Sequence, residues 1–122
     1  MFEVTYETTF CATHRLTRGG EPIEPIHGHD WRVEVAAAGG ELDELGVVLD
    51  FERLKETVGA VAARFHYRDL NDHQDLRGTS PSAEVVARHF FREVRRGLGA
   101  EGRLLRRVRV WEAPGCSATY AE

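Results

Sequence analysis

At 122 residues the chain has room for one hydrophobic core, and 42% hydrophobic with 30% charged residues excludes a disordered or fibrous protein. A formal net charge of −4 at pH 7 offers no field for gripping a nucleic-acid backbone, and the basic cluster Arg92 to Arg107 reads as a solvated face or a subunit contact. No apolar run is long enough to span a bilayer, and Met1 leads at once into a strand pattern. The expected location is therefore the cytoplasm, with Cys11 and Cys116 kept as free, mostly buried thiols.

Phe2, Val4, Tyr6, Thr8, Phe10, Ala12 and His14 share one parity, which predicts a long strand over 2–14 with a greasy face that ends in a histidine. Thr17 to Ile26, with Gly19-Gly20, Pro22 and Pro25, reads as a loop. A second strand is expected from about His29 to Ala38, with His29, Trp31, Val33, Val35 and Ala37 on one side and Gly39-Gly40 at its end. Asp50 can cap a helix over 51–65 whose buried stripe is Phe51, Leu54, Val58, Val61, Ala62 and Phe65. Tyr67 to Gly78 reads as loop. Ser80 is the expected cap of a second helix with Pro81 at its first position, Ala83, Val86, Ala87, Phe90 and Val94 facing inward, and Gly97 or Gly99 at its end. Leu104 to Glu112 predicts a third strand whose even positions share a face, and Cys116 to Tyr120 a fourth after the Pro114-Gly115 turn. The order ββααββ predicts one α+β domain over 1–122, a four-stranded antiparallel sheet with two helices on one face. Its two open edges favour oligomerisation.

His27-Gly28-His29 is the most informative triplet. Histidines two apart on a strand project the same way, and His14, at the end of the neighbouring strand, can supply a third imidazole. Three histidines with no fourth protein ligand make an open zinc site, able to polarise a substrate oxygen or acidify a bound water. The competing reading is a pair of surface-loop histidines.

Phe10-x-Ala12-x-His14, His27-Gly28-His29, Gly46-Val-x-Leu-Asp50-Phe51, Leu70-Asn71-Asp72, Pro81-Ser82-Ala83-Glu84, Glu112 and Tyr120 follow in an order that resembles the 6-pyruvoyl and 6-carboxytetrahydropterin synthase family. The resemblance covers nearly the whole chain. It implies the tunnelling fold, in which subunit sheets close a twelve-stranded barrel and two trimeric rings stack as a hexamer. It also implies that His14, His27 and His29 hold zinc and that zinc grips the side-chain hydroxyls of 7,8-dihydroneopterin triphosphate. Glu112 would anchor the amino-pyrimidinone edge of the pterin through a bidentate contact. Ser82 and Glu84 are further candidates for substrate contact; Glu84 also suits a helix start as a plain dipole-compensating acid.

The departures from the family pattern matter as much. Ile23 stands where the family's catalytic cysteine is expected, and His66 and Tyr67 where it carries an Asp-His pair. Glu24, next to Ile23, resembles a branch in which a glutamate replaces the cysteine and the product is 6-hydroxymethyl-7,8-dihydropterin. Glu24 is the candidate general base, and His66 a candidate proton-transfer group. Two functions follow: a zinc-dependent lyase acting on the dihydroneopterin side chain, or a catalytically silent homologue that keeps a pterin- or purine-binding pocket.

Overall fold

In the computed structural model, which describes all 122 residues, the alternating residues form two long strands, β1 (Phe2–His14) and β4 (His27–Gly39). Between them, β2 (Thr17–Arg18) and β3 (Glu21–Pro22) form a small hairpin around Gly19-Gly20. Then follow α1 (Phe51–Phe65), β5 (Arg68–Asp69), α2 (Ala83–Leu98), β6 (Leu105–Ala113) and β7 (Cys116–Ala121). The sheet runs β5-β1-β4-β6-β7, and every long pairing is antiparallel. The expected α+β layout is the observed one, with one addition. The β5 segment lies parallel to β1 at Ala12 and Thr13, because the N–H groups of Tyr67 and Leu70 donate to the carbonyls of Cys11 and Thr13, at 2.7 and 2.8 Å. Composition alone marked that stretch as loop.

Both helices bury their stripes against one face of the sheet, in a contiguous core of 23 residues. Phe10 lies at its centre, with ring centroids 5.8 Å from Trp31 and 5.7 Å from Phe90. Burial on this scale is the main stabilising term. Asp50 caps α1 as expected, its carboxylate accepting from the Glu52 N–H at 2.9 Å.

Four local expectations fail, each for an identifiable reason. Phe51 is 56% exposed, and Leu49, on the approach to α1, takes the buried place at that end of the core. Ser82 rather than Ser80 caps α2, through the Val85 N–H, because the Ser80 hydroxyl already accepts from Thr17 N–H at 2.9 Å. Pro81 thus precedes the helix instead of opening it. In β6 the even parity holds for Val108, Val110 and Glu112, whereas Leu105 is buried and Arg106 exposed. A bulge opposite Ala36/Ala37 leaves Arg106 as the extra residue and flips the alternation there. Cys116 is exposed at the start of an edge strand; Cys11 is half-buried, and both are free thiols.

Candidate metal centre

The register of β1 and β4 builds the site. His14 lies directly opposite His27 and Ala12 opposite His29, so the strand begins two residues earlier than its apolar pattern suggested. The parity that points Phe10 and Trp31 into the core therefore points three imidazoles to one place beyond it. Their ring centroids are 4.7 Å (His14–His27), 5.4 Å (His14–His29) and 4.8 Å (His27–His29) apart.

Backbone carbonyls set which nitrogen each ring offers. His14 Nδ1–H donates to the Pro81 carbonyl at 2.7 Å, and His27 Nδ1–H to the Pro25 carbonyl at 2.9 Å. A carbonyl can only accept, so in the neutral rings the proton sits on Nδ1 and Nε2 keeps its lone pair. This is the outer support that metal-ligating histidines ordinarily have. His14 is fully buried, and Nε2 of both His14 and His29 has no hydrogen-bond partner. Burial pushes the His29 imidazole below its ordinary value of 6.5; Glu112 opposes the shift, and His14 and His27 add to it. The three rings are aimed at one point.

Glu112 comes with them. It sits at a second bulge, between Trp111 and Ala113 of β6, on the parity of Val108 and Val110. Its Oε1 lies 2.6 Å from His14 Nε2 and 3.6 Å from His29 Nε2. The nearer contact lies off the direction in which a ring N–H would donate, so it is two acceptors facing each other. Such a contact repels unless a cation is shared between them. The ligand atoms of His14, His27, His29 and Glu112 all lie within 4.8 Å of one another and could hold a metal ion.

That placement corrects two expectations. The three histidines do have a potential fourth protein ligand. Glu112 also stands beside the metal position within its own chain, not across a pocket from it. A carboxylate there cannot reach the amino-pyrimidinone edge of a pterin whose C6 side chain occupies the same metal, because the bicyclic ring separates the two ends.

Glu24 is brought close. The hairpin folds back through Ile23 N–H to the Leu16 carbonyl at 3.1 Å, and Glu24 Oε1 accepts from Leu16 N–H at 2.9 Å. The same oxygen is 4.0 Å from His27 Nε2. Ile23 and Ile26, 52% and 48% exposed, leave apolar surface on either side. His66 is not brought in. Its Nδ1 accepts from the Cys11 N–H at 3.1 Å and its ring lies 3.8 Å from that of Tyr67, with no contact to the three histidines. Tyr67, 80% exposed with φ 60, is the one non-glycine residue with positive φ. It lines a cleft of about 440 Å³ with Cys11, Gly28, His29, Asp30 and Asp69. Cys11 is no thiolate: its Sγ donates to Asp30 at 2.6 Å, and that bond pushes the thiol's pKa up. Ser82 is the cap of α2, and Glu84 is exposed in that helix's first turn, three residues beyond the carbonyl that holds His14.

A model of the 6-pyruvoyl tetrahydropterin synthase family matches residues 3–122. The chain belongs to this family. It is 35% identical over 105 residues to a putative 6-carboxy-5,6,7,8-tetrahydropterin synthase of Archaeoglobus fulgidus, covering 86% of this chain and 83% of that protein. It is 31% identical over 109 residues to the dihydroneopterin monophosphate aldolase of Pyrococcus furiosus, covering 89% and 88%. The 6-pyruvoyl tetrahydropterin synthase structure of Caenorhabditis elegans superposes with a TM-score of 0.86 at 25% identity, over 100% of this chain and 97% of that one. The family is one of pterin metabolism, and its named members are synthases and an aldolase.

The sequence reading missed the two supporting carbonyls and the approach of Glu112 to the histidines. Pro25 and Pro81 act through main chain, which no residue type announces. The bulge at Glu112 has no sequence mark beyond the Pro114-Gly115 turn that follows it.

Proposed function

We propose that the chain is a zinc-dependent pterin aldolase, cleaving the C6 side chain of 7,8-dihydroneopterin or its phosphate ester. The observation that carries this reading is the Glu24 carboxylate, 4.0 Å from His27 Nε2 beside three inward-facing imidazoles. When bound by His14, His27 and His29, zinc would acidify the side-chain hydroxyls and stabilise negative charge on oxygen. Glu24 takes the proton of the 2′-hydroxyl. The C1′–C2′ bond then breaks as C2′ becomes an aldehyde, and its electron pair moves into the C6=N5 imine of the ring. Glu24 returns the proton to C1′, giving 6-hydroxymethyl-7,8-dihydropterin and a two-carbon aldehyde. Glu112 stands where it can polarise a hydroxyl at the metal position. Glu84, with Ser82, takes the pterin's amino-pyrimidinone edge in its place, since the start of α2 is tied to the metal group through Pro81. The aldolase named among the relatives supports cleavage over rearrangement.

The homo-oligomer belongs to the same proposal. The edge of β1 from Phe2 to Phe10 and the outer edge of β7 are unpaired, and joining them among three copies would close a barrel, two such rings making a hexamer. His66 and Tyr67 would then serve a neighbouring copy's pocket. Light scattering reads this directly: a monomer in dilute solution would rule it out.

The functional test is incubation of the zinc-loaded protein with dihydroneopterin, its monophosphate and its triphosphate. Chromatography should show 6-hydroxymethyl-dihydropterin, and Glu24→Gln should lose it. No product from any substrate, with wild type and variant alike, sinks the aldolase. A second reading is motivated by His66 lying away from the metal group: a silent pterin- or purine-binding homologue. Pterin affinity without product, lost in Glu84→Ala, would favour it.

A further inference from the structure

The pairing of β1 with β4 stops at His14, opposite His27, and Arg15 and Leu16 belong to no strand. Their half-buried main chain needs partners all the same. Side chains from three separate segments supply them, taking three consecutive N–H groups. Asn71 Oδ1 accepts from Arg15 at 2.8 Å, Glu24 Oε1 from Leu16 at 2.9 Å and Ser80 Oγ from Thr17 at 2.9 Å. The carbonyls pair as well, that of Arg15 accepting from Asn71 Nδ2 at 2.9 Å and that of Leu16 from Ile23 N–H at 3.1 Å.

Asn71 is the member of this set that the core holds in place. Leu70 beside it is fully buried, and the Leu70 N–H donates to the Thr13 carbonyl at 2.8 Å. Asp69 Oδ1 accepts from the Asn71 N–H at 3.0 Å. The Asn71 amide therefore carries the edge of β1 two residues past its last backbone bond to β5, with a side chain in place of a strand. Residue type matters here. Arg15 presents one donor and one acceptor, and an amide offers the complement of both from a single plane. Aspartate would set a second oxygen against the Arg15 carbonyl, and alanine would leave both groups unpaired.

Glu24 rests on the very next residue. The oxygen that accepts from Leu16 N–H, Oε1, is the one 4.0 Å from His27 Nε2. A carboxylate on a flexible side chain is placed only as well as the group that holds it, and Leu16 N–H is held by what fixes Arg15. We propose that Asn71 is a positioning residue for Glu24, acting through the main chain of Arg15 and Leu16; its part in turnover rests on the reading of Glu24 as the base. Asn71 touches neither the metal group nor the carboxylate it places. Loss of its amide lets the Leu16 N–H drift, and a misplacement of about 1 Å at a reacting group can cost on the order of 10² in rate.

The test compares the intact, zinc-loaded wild type with Asn71→Ala and the isosteric Asn71→Asp, which keeps a fold that the alanine might lose. Magnetic resonance reads the placement without any turnover. In both variants the Leu16 amide hydrogen should exchange about tenfold faster or more, and the Glu24 carboxyl carbon signal should move. Kinetics with dihydroneopterin read the consequence: kcat should fall about tenfold or more, with KM within about twofold and zinc content unchanged. In a Glu24→Gln background, Asn71→Ala should lower the residual kcat little further, because its effect passes through Glu24. A Leu16 amide and Glu24 signal identical to wild type overturn the proposal. So does a variant that melts earlier yet keeps kcat, or one whose loss adds in full to that of Glu24→Gln. A displaced Glu24 signal in a protein that turns over no pterin keeps Asn71 in this role and removes the aldolase. Turnover that survives Asn71→Ala, with Leu16 loosened, removes the role and keeps the aldolase.

Discussion

One face of the β1–β4 pair carries two regions that obey the same parity and do opposite things. From Val4 to Phe10 and from Trp31 to Ala37 the inward residues are mostly apolar, and packing satisfies them. One step further along both strands the inward residues are His14, His27 and His29, and Nε2 of His14 and His29 is left without a partner. Alternation says only which way a side chain points. Residue type then decides whether that direction ends in a packed core or in a group that needs a ligand.

The sharpest way to break this comparison is to remove one ring. His27→Ala should abolish stoichiometric zinc binding, read by elemental analysis, while the metal-free protein unfolds within about 0.5 kcal/mol of wild type, since His27 is half-buried at a strand end. A large loss of metal-free stability would mean that the rings belong to the core after all. Glu24→Gln should keep the metal and lower kcat by about 10² to 10⁴. Loss of zinc in that variant would make Glu24 a ligand instead of a base. Phe10→Ala, at the packed end, should cost about 3–5 kcal/mol in a denaturant titration. Addition of zinc should restore part of that loss, because a metal held by the three rings would bind only the folded chain.

The smallest effect lies on the opposite face. There Arg107 bonds Glu34 at 2.5 Å and Glu3 at 2.9 Å, and the Arg107 hydrogen bond holds the Glu34 carboxyl below its ordinary value of 4.5. A depressed folded pKa contributes stability above the unfolded value that is lost as pH falls through the folded one. Wild type should therefore lose more stability than Glu34→Gln as pH is lowered from neutrality to below about 4, by less than about 1 kcal/mol given the partial exposure of Arg107. Parallel acid-unfolding curves for the two proteins would remove the pair from the account.

Where a residue's partners are near in sequence, the pattern was legible. Asp50 and the Glu52 N–H are two residues apart, and the α1 cap was read correctly. Where the partner is distant, it was not. Ser80 and Ser82 exchange roles because of Thr17, 63 residues away from Ser80. The histidine triad was legible because strand parity is local and because His-x-His is itself a pattern. The position of Glu112 was half legible: its parity with Val108 and Val110 holds, but its closeness to His14, 98 positions earlier in the chain, is not a local pattern. The β5 edge escaped notice because two backbone bonds to β1, not side-chain type, create it.

The brace on His14 has a practical consequence for mapping this protein by substitution. It is a main-chain carbonyl at Pro81, so exchanging the side chain there leaves the oxygen in place, and an alanine scan through this segment would pass over it in silence. What would disclose it is a change in chain length: one residue inserted or deleted between Thr79 and Ser82 would carry that oxygen away and free the imidazole to turn.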